Sequence, residues 1–360
     1  MTAPAAPAVR SCVAVTCTRV NLGRQIIDYR YLGRSALQVS PLCLGAMMFG
    51  GATDEATSRR IVDKAREQGV NFIDTADVYN GGRSEEVVGR AIAAHRHHWV
   101  LASKFGQRAG DGPNQCGQSR KWIVEEVEAS LRRLGTDYID IVYFHKADVG
   151  VPFEEGLRAI RDLIAQGKVR YYGVSNFKGW RIAEICRAAD AIGMDRPVVS
   201  QPLYNIVDRL SEVEQLPAAD HYGLGVVPYS PLARGILSGK YAKDAPPPAD
   251  SRVARSDVRI LQTEWRPESV DIARTIAAHA AARGMSTVTF ALAWVLNNRL
   301  VSSAIAGPRT EEQWDGYLPA LDAQLGPEDE AFVDGLVTPG HASTPGYTDP
   351  AYPIEGRRVR

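Results

Sequence analysis

Eight short apolar runs constrain this 360-residue chain more than any other feature. They lie at residues 42–46, 71–76, 100–104, 139–145, 171–176, 198–204, 225–230 and 303–307. Runs apolar on both faces suit parallel strands covered by helices. The stretches between them carry helical periodicity. Ile123, Val127, Leu131 and Leu134 form one stripe, and Ile182, Ile185, Cys186 and Ala189 form another. Pro152 is well placed at a helix N-terminus. Gly69, Gly135, Gly167, Gly193 and Gly223 each stand between a helical stretch and the next run, where a left-handed residue closes the helix. This repeated helix–glycine–strand order predicts an α/β fold, a (β/α)8 TIM barrel. An open doubly wound sheet is the competitor, and it binds a dinucleotide through GxGxxG after its first strand. The first run here leads into GAMMFGG at 45–51, which does not fit that turn.

Residues 30–33 and 37–40 flank a turn and predict a β-hairpin ahead of the barrel. Residues 1–27 read as an N-terminal extension, expected to be disordered, and 28–336 as the barrel. A minimal barrel needs neither the long loop after strand seven, 232–266, nor the C-terminal loop, 337–360. Long loops at the C-terminal ends of barrel strands shape substrate pockets.

Forty-two basic and forty-two acidic residues cancel, so no field of one sign attracts nucleic acid or an anionic membrane. No apolar run approaches the roughly 20 residues of a membrane span. The five cysteines form no CxxC and no metal-ligand spacing. They read as free thiols of a cytoplasmic protein. The cluster HRHH at 95–98 reads as a solvated helix end rather than a metal site.

Asp74 lies near the end of run two, Lys104 and His145 close runs three and four, and Tyr79 follows five residues after Asp74. This set supports proton transfer to a carbonyl oxygen. A phenol keeps its proton up to pH about 10. A neighbouring ammonium lowers that value, and a carboxylate holds the ammonium in place. Tyr79 is then a general acid, with Lys104 and Asp74 as its support and His145 orienting the carbonyl. No nucleophile–base pair is evident, so the hydride comes from outside, and a nicotinamide fits.

These residues, with GVSNF at 173–177, Gln201, YSPLARG at 229–235, Gly239-Lys240 and GPR at 307–309, make a specific combination that resembles the aldo-keto reductases over roughly residues 29 to 321. The likeness is to the longer, bacterial-type branches. It implies the same four catalytic roles. It also implies that Ser175, Asn176 and Gln201 hold a nicotinamide carboxamide and that Tyr229 stacks on the ring. Ser230, Leu232 and Arg234 would line the pyrophosphate, Arg309 and Gln313 would serve the 2′-phosphate, and Lys240 and Gly307 are further cofactor-binding candidates. Arginine gives phosphate a bidentate contact, so NADPH is expected over NADH. Gly316 and Tyr317 stand where many members carry Glu and Asn, and Tyr317 is a candidate to stack on adenine. Met48 and Phe49 at the mouth, and Trp265 in the long loop, are candidate substrate-pocket residues.

The expected activity is reversible reduction of an aldehyde or ketone, without metal. Two rivals stay open: a nicotinamide-binding regulatory subunit with slow turnover, and an aldolase using Lys104 as a Schiff base. Oligomeric state is not legible, because an interface patch and a core face share one pattern.

Overall fold

The structure, a computed structural model, describes residues 19–21, 26–148, 150–241, 246–249 and 251–353. Eight strands form one parallel sheet: β1 (Leu42–Gly45), β2 (Phe72–Asp74), β3 (Val100–Phe105), β4 (Ile139–Phe144), β5 (Val169–Ser175), β6 (Val199–Gln201), β7 (Gly225–Val226) and β8 (Ala304–Ala306). Their order is β7-β6-β5-β4-β3-β2-β1-β8. A parallel bridge between Val226 and Val301, with Ile305 N–H donating to Pro228 O at 3.0 Å, joins the two edges and closes the barrel. The helices α1 (Glu55–Glu67), α2 (Arg83–Ile92), α3 (Arg120–Leu134), α4 (Phe153–Ala165), α5 (Gly179–Ala191) and α6 (Gln215–Tyr222) connect successive strands up to β7. The (β/α)8 expectation is met.

Strands β6 and β7 end furthest ahead of their apolar runs. Pro202 and Pro228 carry no N–H, so β6 and β7 stop at Gln201 and Val226 and the chain peels off toward the mouth. The five helix-exit glycines all take positive φ, from 61° at Gly135 to 79° at Gly69. Both predicted helix stripes are buried, and Pro152 caps α4.

Strand alternation divides the core. Leu42, Leu44, Ile73, Leu101, Val142 and Phe144 face the helices, while Cys43, Phe72, Ala102, Ile141, Tyr143 and Val199 fill the barrel. Continuing the inward parity by two residues leads from Phe72 to Asp74, from Ala102 to Lys104, from Tyr143 to His145 and from Val199 to Gln201. The inward positions near the strand ends are therefore polar, and three of these four are titratable.

The predicted hairpin is present, with Arg30–Tyr31 paired antiparallel to Gln38–Val39. Its Leu32 and Val39 join the barrel interior and plug the end away from the strand C-termini. Gly33, at φ 60°, lets this plug sit against β7. A Cβ there would come within 2.4 Å of Gly225 N, and Arg34 N–H donates to Gly223 O at 2.9 Å. Within the N-terminal extension, Arg19–Asn21 pairs antiparallel with Ile26–Asp28. The rest of the stretch expected to be disordered, residues 1–18 and 22–25 of 1–27, lies outside the described residues.

Candidate active site

Register sets the site. Gly45 pairs with Asp74, Asp74 with Ala102, Lys104 with Tyr143, and Ser175 with Gln201. The C-terminal ends of β2 to β6 thus meet around one point. Lys104 is fully buried there and donates from Nζ to Asp74 Oδ1 and, at 2.7 Å, to Thr75 O. Asp74 Oδ2 accepts from Gln201 Nε2 at 2.9 Å, so both carboxylate oxygens are engaged. Burial opposes the charge on Lys104, but Asp74 and then Tyr79 outweigh it, and the ammonium's pKa stays above its ordinary value.

Tyr79 comes from the loop after β2. Three successive residues behind it, Asn80, Gly81 and Gly82, take positive φ of 52°, 65° and 88°. The Asn80 side-chain amide donates to Met47 O (3.0 Å) and Phe49 O (2.8 Å), tying this turn to the loop after β1. Tyr79 is thereby set 4.9 Å, ring centroid to Nζ, from Lys104, and its ring meets His145 edge-on with centroids 5.9 Å apart.

The sequence suggested that Lys104 draws the Tyr79 pKa down toward neutrality. The structure corrects this. Burial raises the phenol above its ordinary value, and Lys104, the largest opposing influence, does not cancel it. Tyr79 is held as the neutral acid. His145 is buried with Nδ1 unpartnered, and burial, Lys104 and Lys146 push its pKa well below the ordinary imidazole value. It is neutral at physiological pH. Asp77, behind Tyr79, is pushed up to about 8 by burial and by Glu126 and Glu85, so it adds little negative charge at pH 7.

A cavity of about 830 Å³ opens over these groups, within the usual size range of small-molecule and cofactor sites. Asp74, Tyr79 and His145 line it, and Lys104 lies buried just beneath. All of the predicted cofactor residues line it: Ser175, Asn176, Gln201, Tyr229, Ser230, Leu232, Arg234, Lys240, Gly307, Arg309 and Gln313. Asn176, held at φ 59°, donates from Nδ2 to His145 O at 2.9 Å, and its Oδ1 accepts from the Tyr229 hydroxyl at 2.7 Å. Ser230, Ala233 and Arg234 also take positive φ. Five of the six described non-glycine residues with positive φ therefore sit on or beside this cavity, the distribution expected where backbone strain serves a site. Arg234 pairs with Glu264, and Gln313 Oε1 accepts the Arg309 backbone N–H at 2.8 Å.

Of the proposed substrate-pocket residues, Met48 lines the cavity. Phe49 does not: the tight turn in which its N–H bonds Ala46 O turns its ring into the core, where it is fully buried. Trp265 does not either, because it packs edge-on against Tyr241, centroids 5.1 Å apart. The sequence reading missed Arg252, Arg259, Gln107, Lys146, Ala351 and Tyr352, all of which line the cavity. Arg252 and Arg259 lie in the long loop that was legible only as an excess. A basic residue in such a loop carries no periodic signal.

Among the described residues no group of three His, Cys, Asp or Glu side chains is placed to hold a metal ion, and no helix is long and apolar enough to cross a membrane. His98 Nε2 lies 2.9 Å from Val70 O, and His97 stacks near Tyr138. Cys43, Cys116 and Cys186 are free thiols.

The sequence profile of the Aldo/keto reductase family matches residues 41–337. A probable voltage-gated potassium channel subunit beta of Arabidopsis thaliana is 39% identical over 304 residues, which cover 82% of this chain and 92% of that protein. The uncharacterized oxidoreductase YrpG of Bacillus subtilis is 38% identical, covering 84% of this chain and 93% of its own. The aldo-keto reductase AMT2 of Alternaria alternata is 34% identical over 85% of this chain and 90% of its own. The barrel, its closed sheet and these matches agree: the chain belongs to the aldo/keto reductase family.

Proposed function

We propose that this oxidoreductase reduces an aldehyde or ketone to the alcohol with NADPH, and runs the reverse oxidation through the same site. One observation carries the reading. The neutral phenol of Tyr79, backed by the Lys104–Asp74 pair and faced by His145, meets a cavity that is also lined by Arg234, Lys240, Arg252 and Arg309. The residues present suit a nicotinamide dinucleotide phosphate. Ser175, Asn176 and Gln201 offer amide and hydroxyl partners for a carboxamide, Tyr229 a ring, and the four cations partners for phosphates. When bound, the reduced cofactor supplies a hydride to the carbonyl carbon. Tyr79 gives its proton to the carbonyl oxygen and is reprotonated from solvent. Lys104 stabilises the phenolate left behind, and Asp74 keeps Lys104 charged and placed. His145, neutral, orients the carbonyl.

The test is NADPH consumption across a panel of aldehydes and ketones. Turnover with at least one carbonyl supports the reading, and none across the panel contradicts it. The same panel weighs a second reading, favoured by the similarity to the probable channel beta subunits of Arabidopsis thaliana and Oryza sativa: a nicotinamide-binding regulatory subunit. That reading expects cofactor binding without substantial turnover.

Cofactor choice rests on Arg309, with Arg252 the added cation. Hydrogen bonds to charged groups are each worth about 1.5–3 kcal/mol, or roughly 10- to 100-fold in affinity. Arg309→Gln is expected to weaken NADPH by that factor and leave NADH near its wild-type affinity, as read by fluorescence titration. Equal weakening of both cofactors would remove the 2′-phosphate role.

A further inference from the structure

The C-terminal segment forms a strap whose described part, residues 337–353, is fastened to the barrel at several points. Arg209 Nη1 donates to Val337 O at 2.8 Å, and Arg209 N–H to His341 O at 3.0 Å. Asp208 and Ala342 form an antiparallel bridge, and Ser343 N–H donates to Val207 O at 2.9 Å. The Arg266 guanidinium then lies 3.8 Å over the Tyr347 ring. The last fastening is an ion pair. Arg259, in the loop after β7, grips Asp349 with both Nη atoms at 3.1 and 2.6 Å. Asp349 in turn accepts the Ala351 N–H on Oδ1 at 2.9 Å, and its carbonyl accepts the Tyr352 N–H at 2.9 Å. One carboxylate thus anchors the turn that carries Tyr352 and ties it to the loop holding Arg234 and Arg252. Tyr352 borders the cavity with Tyr79 and Met48. Burial, then Asp349, pushes the Tyr352 phenol up to about 12, so a neutral, bulky ring borders the cavity that Tyr79 also lines.

We propose that Tyr352 is a specificity-determining residue that limits carbonyl substrates by size, and that the Arg259–Asp349 pair is the latch that holds it over the site. This rests on the carbonyl-reductase reading above. With the latch closed, a compact aldehyde reaches Tyr79 and His145, while a substrate with a fused-ring substituent meets the Tyr352 ring. Because the latch joins the strap to the loop after β7, loosening it relieves this exclusion without altering the four catalytic groups.

The experiment compares kcat/KM for 2-naphthaldehyde and for propanal, with kcat and KM resolved separately. One methylene gained or lost in an apolar pocket changes discrimination by about 10- to 200-fold. Tyr352→Ala is expected to raise the naphthaldehyde-to-propanal ratio by about 10-fold or more, mainly through KM for the larger substrate. Tyr352→Phe, which keeps the ring, holds the wild-type ratio. Asp349→Asn raises the ratio in the same direction, and the charge-exchanged pair Arg259→Asp with Asp349→Arg brings it back toward wild type. A ratio that is unchanged or lowered in Tyr352→Ala, with wild-type turnover intact, overturns this proposal alone. A wild-type ratio in Asp349→Asn overturns the latch. A wild type that reduces no carbonyl overturns the functional reading, and this proposal with it.

Discussion

Tyr79→Phe is expected to lower kcat for carbonyl reduction by about 10²–10⁴-fold, the range for losing a positioned general acid. NADPH affinity should stay near wild type, because the substitution keeps the ring that lies against Lys104 and His145 and removes only its hydroxyl. Burial places the Tyr79 pKa above the ordinary phenol value, and His145 is held neutral by a lowered pKa. Neither group then changes charge between about pH 6 and 9, on ordinary values near 6.5 and 10. The wild-type reduction rate should therefore show no titration of either in that window. Stopped-flow reduction rates and a cofactor titration on the same variant check both halves. A Phe variant with wild-type turnover would remove Tyr79 from the mechanism.

Lys104→Met separates catalysis from stability. Lys104 is fully buried and Asp74 is 4% exposed at its side chain, so removing the ammonium leaves an uncompensated carboxylate inside the barrel. Breaking a buried pair from one side costs about 3–5 kcal/mol, whereas replacing both partners can be close to neutral. The single variant should therefore lose that much stability in denaturant unfolding, and about 10²-fold or more in kcat, as the phenolate formed on Tyr79 loses its counter-charge. The double variant Asp74→Asn with Lys104→Met should recover most of the stability and none of the activity. Recovery of activity in the double variant would show that the pair serves the fold alone.

Much of this architecture was legible because a strand writes its two faces into alternate residues. Phe72 and Asp74, Ala102 and Lys104, Tyr143 and His145 share one parity, and the closed barrel turns that parity into convergence. The glycines at helix exits were legible for a different reason: a left-handed φ leaves few other choices. The loops were not legible. Arg252, Arg259 and Tyr352 reach the cavity through ion pairs and turns between segments distant in sequence, as Arg259 with Asp349 illustrates, and no period records such contacts. Phe49 and Trp265 were misplaced for the converse reason. Position near the mouth does not say which way a turn sends a ring, and both rings pack inward. The sign of the Tyr79 shift was also beyond the sequence, because it depends on how burial balances against one ammonium.

The central claim is hydride transfer from a reduced nicotinamide to a carbonyl carbon at Tyr79. The direct measurement is mass spectrometry of the alcohol formed by wild-type enzyme from an aldehyde and NADPH dideuterated at nicotinamide C4. The mechanism predicts one deuterium, on the carbinol carbon. An alcohol without deuterium, or no alcohol despite saturating cofactor, would contradict it.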